Sequence, residues 1–125
     1  MLIDSDVLVW VTRGNVRAAQ RLQALNPWRI SAVTYMELAQ GCRNKAELSR
    51  LKKGFAKRNT EIMPITPAVS QRAAALIDER ALSHGLRLAD ALIAATAIEQ
   101  QVLLLTANVK HFSGSEGLQI EAFEP

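Results

Sequence analysis

The chain has 125 residues, 49% of them hydrophobic and 22% charged, with a formal net charge of +3. That composition sits near the globular average and excludes a disordered or fibrous chain, while the length suits one domain with its own core. The longest apolar stretches, residues 7–11 and 91–98, fall short of the roughly 18 residues that a membrane span needs. The lone cysteine, Cys42, permits neither an internal disulfide nor a cysteine-based zinc site.

In chain order, residues 1–3 read as a short strand whose end carries Asp4 and Asp6. Gly14-Asn15 opens a helix with the apolar stripe Ala18, Leu22 and Leu25, which Asn26-Pro27 ends. Residues 28–30 form a second strand, and Ser31 is an N-cap for a helix to about Gln40, closed by Gly41. A helix over 45–57 puts Leu48, Leu51 and Phe55 on one face and Arg50, Lys53 and Lys57 on the other. Residues 61–65 are a third strand. Thr66-Pro67 then starts a helix with Val69, Ala73, Leu76 and Ile77 inward and Gly85 as its stop. Residues 88–99 are apolar nearly all round, the mark of a buried helix, and 102–105 read as a strand covered on both faces. A turn or short helix at 108–112 leads to a last strand near 118–122. Strands alternating with helices predict a three-layer α/β domain over residues 1–125, with a mainly parallel central sheet of four to five strands flanked by helices. The opening residues lack the basic and greasy segments of a signal peptide, so a cytoplasmic location is expected.

Charge is unevenly spread. Arg43, Lys45, Arg50, Lys52, Lys53, Lys57 and Arg58 fall in one segment against Glu47 alone, leaving the rest of the chain net acidic. A basic patch on an acidic body points to a polyanionic partner, although solvated basic helices are common.

Acidic residues at three places in the chain break the pattern of their surroundings. Asp4 and Asp6 end the first strand, and ligands of parallel sheets gather at the carboxyl ends of strands. Glu37 lies between Met36 and Leu38 with no basic residue three or four positions away. Asp90 is the single charge in residues 88–98. Each has an ordinary reading: Asp6 and Asp90 suit helix first turns, Glu37 suits a partly exposed helix face, and Asp4 suits an arginine partner. Converging in one cleft, they form an oxygen-only ligand set, which hard cations such as Mg²⁺ or Mn²⁺ prefer. His84 and His111 read as residues of helix last turns, His111 as a cap or packing group ahead of a phosphate contact. Trp10, Trp28 and Tyr35 read as core.

Four blocks carry a resemblance: Leu2-Ile-Asp4-Ser-Asp6-Val-Leu8, Ile30-Ser-Ala-Val-Thr-Tyr-Met-Glu37-Leu-Ala-Gln-Gly41, Leu86-Arg-Leu-Ala-Asp90-Ala-Leu-Ile-Ala-Ala95 and Leu105-Thr-Ala-Asn108-Val-Lys-His-Phe112. In this order and spacing, along nearly the whole chain, they resemble the PIN-domain nucleases, and within them the small VapC-type toxins of prokaryotic toxin–antitoxin pairs. The resemblance implies an endoribonuclease that hydrolyses RNA phosphodiesters with Mg²⁺ or Mn²⁺, leaving a 5′-phosphate. It places Asp4, Glu37 and Asp90 at the metal-holding acidic positions, with Asn108 as a further ligand and Asp6 as an additional catalytic carboxylate. Ser5 and Thr106 match hydroxyl residues that support such a site. The family often has Asn where Asp6 stands and a fourth acid where Asn108 stands, so the fourth carboxylate has changed sides. A homodimer and an antitoxin that covers the cleft are also implied, and Arg50, Lys53 and Lys57 would serve either RNA or that antitoxin.

Other classes compete. Asp4-Ser-Asp6-Val7 also fits the start of haloacid-dehalogenase-like phosphatases, with Asp4 as nucleophile, but Thr106-Ala-Asn108 does not supply their later acidic pair. A receiver domain would need an acid ending the third strand, where Ile62-Met-Pro-Ile-Thr66 stands, and a dinucleotide fold would need a glycine-rich first turn. A non-catalytic module that binds RNA or protein would have little reason to keep buried acids.

Overall fold

A computed structural model describes residues 1–125. The elements are β1 (Leu2–Ile3), α1 (Ser5–Thr12), α2 (Val16–Gln23), β2 (Arg29–Ser31), α3 (Ala32–Gln40), α4 (Lys45–Lys57), β3 (Glu61–Met63), α5 (Pro67–His84), α6 (Leu88–Gln100), β4 (Leu104–Thr106), α7 (Val109–Phe112) and β5 (Ile120–Ala122).

Helix starts follow local chemistry. Asn15 accepts from the Ala18 N–H at 2.9 Å, Ser31 from Val33 at 3.1 Å, Asn44 from Glu47 at 2.9 Å and Thr66 from Val69 at 3.2 Å. Each side chain satisfies a donor that the helix cannot pair internally. At the far end of α5, Gly85 takes φ 66°, a left-handed conformation that other residues adopt only at a cost.

All strand pairs are parallel. β4 lies between β1 and β5, with Leu2 opposite Leu104 and Leu104 opposite Ile120; β2 pairs with β3 through Ile30 and Ile62. β1 and β2 touch, but no ladder joins them, so the expected central sheet is divided into one of three strands and one of two. The strands are also shorter than the apolar runs implied: Pro64 cannot donate to a ladder, and β3 stops at Met63.

Alternation along the strands builds the three layers. Leu2 and Leu104 point into one core with Val69, Ala73 and Leu76 of α5, Ile93 and its neighbours on α6, and Phe112 of α7. Ile3 and Leu105 point into a second core with Val7 and Leu8 of α1, Ala18 and Leu22 of α2, Trp28 and Phe55. Trp28 donates its indole N–H to the Leu22 carbonyl at 2.9 Å; Trp10 and Tyr35 are half-buried at the margin of that core. The buried Arg80 guanidinium donates to the Ser113 carbonyl and ties α5 to the turn after α7.

Candidate active site

Parallel pairing brings the carboxyl ends of β1 and β4 side by side. Asp4 follows Ile3 directly and is the N-cap of α1, its Oδ1 accepting the Ser5 N–H at 2.8 Å. Its Oδ2 accepts from the Thr106 hydroxyl at 2.7 Å. Thr106 ends β4, so this bond spans 102 positions of sequence. The same Thr106 oxygen accepts the Asn108 N–H at 3.0 Å.

Asp6, in the first turn of α1, accepts the Ala107 N–H through Oδ2 at 3.0 Å. Its Oδ1 is buried and has no partner. Asp90, the third residue of α6, accepts the Arg87 N–H at 3.3 Å and faces His111 Nδ1 at 3.6 Å.

Glu37 sits differently. It is exposed on α3, and Ser5 joins it to the aspartates, its hydroxyl donating to Glu37 Oε1 at 2.7 Å. The Asn108 side chain is exposed and makes no capping hydrogen bond; only its backbone N–H reaches the cluster. Sequence reasoning missed two contributors. The Ala107 amide carries no side-chain signal, and His111 turns toward Asp90 instead of serving only as a cap.

The electrostatics are strained in one direction. Burial, then the neighbouring Asp6 charge, pushes the Asp4 carboxyl up to about 7, against the Thr106 hydroxyl and Ser5 N–H, which favour its ionised form. Burial likewise raises Asp6, opposed by the Ala107 and Val7 amides. No lysine or arginine pairs with Asp4, Asp6, Glu37 or Asp90, so the arginine partner considered for Asp4 is absent. Buried carboxylates held this way are costly unless a cation joins them. An oxygen-only donor set with one orphaned buried oxygen fits a hard divalent ion. The protein alone does not bring three acidic, His or Cys side chains to metal-holding spacing; hydroxyls and amides hold the acids as separate donors.

A basic-rimmed groove of about 330 Å³, lined by none of the four acids, lies between α1 and α4. Its floor is Leu8, Val11, Trp28, Leu38, Leu51 and Phe55, and Arg50, Lys57 and Arg58 stand along it. An adjoining recess shares Arg50 and Leu51 and reaches Glu37. Lys53 is exposed on α4 outside both.

The family model described as PIN domain matches residues 1–113. The chain belongs to the PIN-domain family. Ribonuclease VapC10 of Mycobacterium tuberculosis is 37% identical over 125 residues, spanning 95% of this PIN-domain chain and 90% of the relative. Among solved structures, a toxin–antitoxin complex from Klebsiella pneumoniae aligns with TM-score 0.82 at 30% identity, covering 99% of this chain and 98% of the other. VapBC2 from Rickettsia felis, solved bound to a promoter DNA fragment, shares the fold with TM-score 0.81 at 23% identity, covering 98% of each chain.

Proposed function

We propose that residues 1–125 form a single PIN-domain unit that acts as a divalent-metal-dependent endoribonuclease, the toxin of a pair restrained by an antitoxin. The observation that carries this reading is the buried Asp4 beside the half-buried Asp6 at the carboxyl end of β1, with no cationic partner and with Asp6 Oδ1 free. Its likeness to a named ribonuclease supports the RNA substrate, and its likeness to a solved toxin–antitoxin complex supports the partner. We take the unit to act as a homodimer in the cytoplasm; no helix is long and apolar enough to cross a membrane.

Asp4, Asp90, Glu37 and Asn108 would hold Mg²⁺ or Mn²⁺. Bound there, the ion supplies a more acidic water and charge stabilisation on the phosphoryl oxygens. The chain's own groups do the rest. Thr106 and the Ser5 amide each hold one oxygen of Asp4, which fixes the carboxylate and leaves each oxygen a further acceptor position toward a cation. Asp6, with one unengaged oxygen and a raised pKa, is the carboxylate suited to take a proton from the attacking water. In-line attack on phosphorus then breaks the bond to the 3′ oxygen, leaving a 5′-phosphate. Ser5 holds Glu37 at the rim.

Purified protein is expected to cut RNA into discrete fragments with Mg²⁺ or Mn²⁺ and not with EDTA. Asp90→Asn is expected to lower the rate by about 10³-fold or more, the loss of several kcal/mol of transition-state stabilisation, with an unchanged circular dichroism spectrum. Equal cleavage by the variant would refute the site.

The basic face is the second element of the reading. Arg50, Lys53 and Lys57 are all exposed on α4, and phosphate contacts by such residues make RNA binding salt-dependent. Replacing the three by Ala is expected to weaken RNA binding and reduce the slope of log affinity against log salt by about 2, at roughly 0.7 per contact. Unchanged RNA affinity at low salt, with weakened antitoxin binding, would assign the face to the protein partner, which the apolar floor of the adjoining groove also suits.

A further inference from the structure

One segment, from the end of β4 into α7, touches all three aspartates. The Thr106 hydroxyl donates to Asp4, the Ala107 amide donates to Asp6, and the His111 ring faces Asp90. The first two contacts are formed hydrogen bonds. The third is open: His111 Nδ1 is buried, has no hydrogen-bond partner, and lies 3.6 Å from Asp90 Oδ2.

That distance is about half an ångström beyond a hydrogen bond, yet the arrangement already selects a tautomer. A lone pair on Nδ1 would face a carboxylate oxygen and be repelled, whereas an N–H there faces an acceptor. The Arg87 amide alone holds Asp90 from the α6 side, and one tether leaves the carboxylate plane free to turn. A second donor from α7, across the cleft, would fix that plane and leave Oδ1 as the oxygen for a cation. Bonds of this kind are often long in the empty site and tighten when it is loaded.

We infer that His111 is a positioning residue for Asp90, its Nδ1–H orienting the carboxylate toward a bound divalent ion. The inference rests on the metal reading of the site. It makes the segment 106–111, from the end of β4 into α7, the part of the chain that orders the aspartates on both sides of the cleft, through one donor to each.

The test uses Mn²⁺ alone, titrated into the full chain by calorimetry. His111→Phe keeps a ring without the donor and is expected to weaken Mn²⁺ binding by about 10-fold or more, in the range seen when partners of metal ligands are removed. His111→Asn places an amide N–H near the Nδ1 position and is expected to recover most of that loss. ¹⁵N NMR of the wild-type imidazole is expected to show the neutral ring protonated at Nδ1, a readout that needs no variant to fold. Wild-type affinity in His111→Phe, or a ring protonated only at Nε2, would overturn the positioning role while Mn²⁺ binding still depends on Asp90. Mn²⁺ binding unchanged in Asp90→Asn would instead overturn the metal reading, and the inference with it.

Discussion

Asp4→Asn is expected to abolish RNA cleavage and, in the same molecule, to make the metal-free protein more stable than the wild type at about pH 8. Cleavage falls because a neutral amide holds a divalent ion weakly, with the same loss of about 10³-fold or more as for Asp90. Stability rises because of what burial does to this carboxyl. Asp4 is 3% exposed beside Asp6, and its folded-state pKa is raised to about 7. The unfolded carboxyl releases its proton near 3.9. Between those values the folded chain holds more protons than the unfolded one, so stability falls as pH rises through the window and stays low above it. The stabilisation is fully present only below the unfolded value. A shift of that size corresponds to about 2–4 kcal/mol after allowing for the shared charge with Asp6.

Asn keeps the N-cap oxygen for the Ser5 amide, removes the charge and flattens the profile. Urea denaturation in EDTA at about pH 5 and about pH 8 checks this. The wild type should lose more stability between the two than the variant, which keeps only the smaller contribution of Asp6, and Mn²⁺ should restore the wild type at the higher pH only. A wild type equally stable at both would show that Asp4 titrates normally.

Phe112→Ala is expected to have the largest effect on the fold itself. The ring is fully buried in the core that also holds Leu2, Leu76, Ala91 and Leu104, and it is the buried side chain of a four-residue helix that could not hold its shape alone. Deleting it costs the transfer energy of the ring plus a cavity, about 3–5 kcal/mol, a large part of a typical total of roughly 5–15 kcal/mol. The midpoint of urea unfolding should drop accordingly. At temperatures where the variant stays folded, cleavage should fall as well, because α7 carries His111 and directly follows Thr106 and Ala107, which hold Asp4 and Asp6. Phe112→Leu, which fills most of the space, should cost about 1.5 kcal/mol or less. A loss below about 1 kcal/mol for the Ala variant would mean that the backbone bonds of 106–108 seat α7 without the ring.

These two residues also mark where sequence reading stops. Phe112 was legible as the end of a block, and Asp4 as an acid at a strand end. Its pKa was not legible, since it depends on Asp6, on Thr106 and on the depth of burial together. Glu37 illustrates the converse. Flanked by Met36 and Leu38, it reads as an acid in apolar surroundings, yet α3 turns it outward and only Ser5 connects it to the cluster. Met36 beside it is exposed as well, so apolar neighbours in sequence did not mean apolar surroundings in space.

The starts of α2, α3 and α5 were determined by the sequence itself, whereas α1 (Ser5–Thr12) was not read as an element. Asn15, Ser31 and Thr66 stand one residue before α2, α3 and α5, and Gly85 closes α5, because capping is settled within three or four residues of chain. The apolar periods likewise assigned Ala18, Leu22, Val69, Ala73 and Leu76 to the two cores. Strand ends, the division into two sheets and the bonds from Thr106 to Asp4 and from Ala107 to Asp6 were decided by the tertiary structure alone. A ladder ends where its partner ends. A carboxylate takes its distant donors from whatever the fold brings beside it: Thr106 for Asp4 and Ala107 for Asp6 lie a hundred positions away, whereas the Ser5 and Arg87 amides are local.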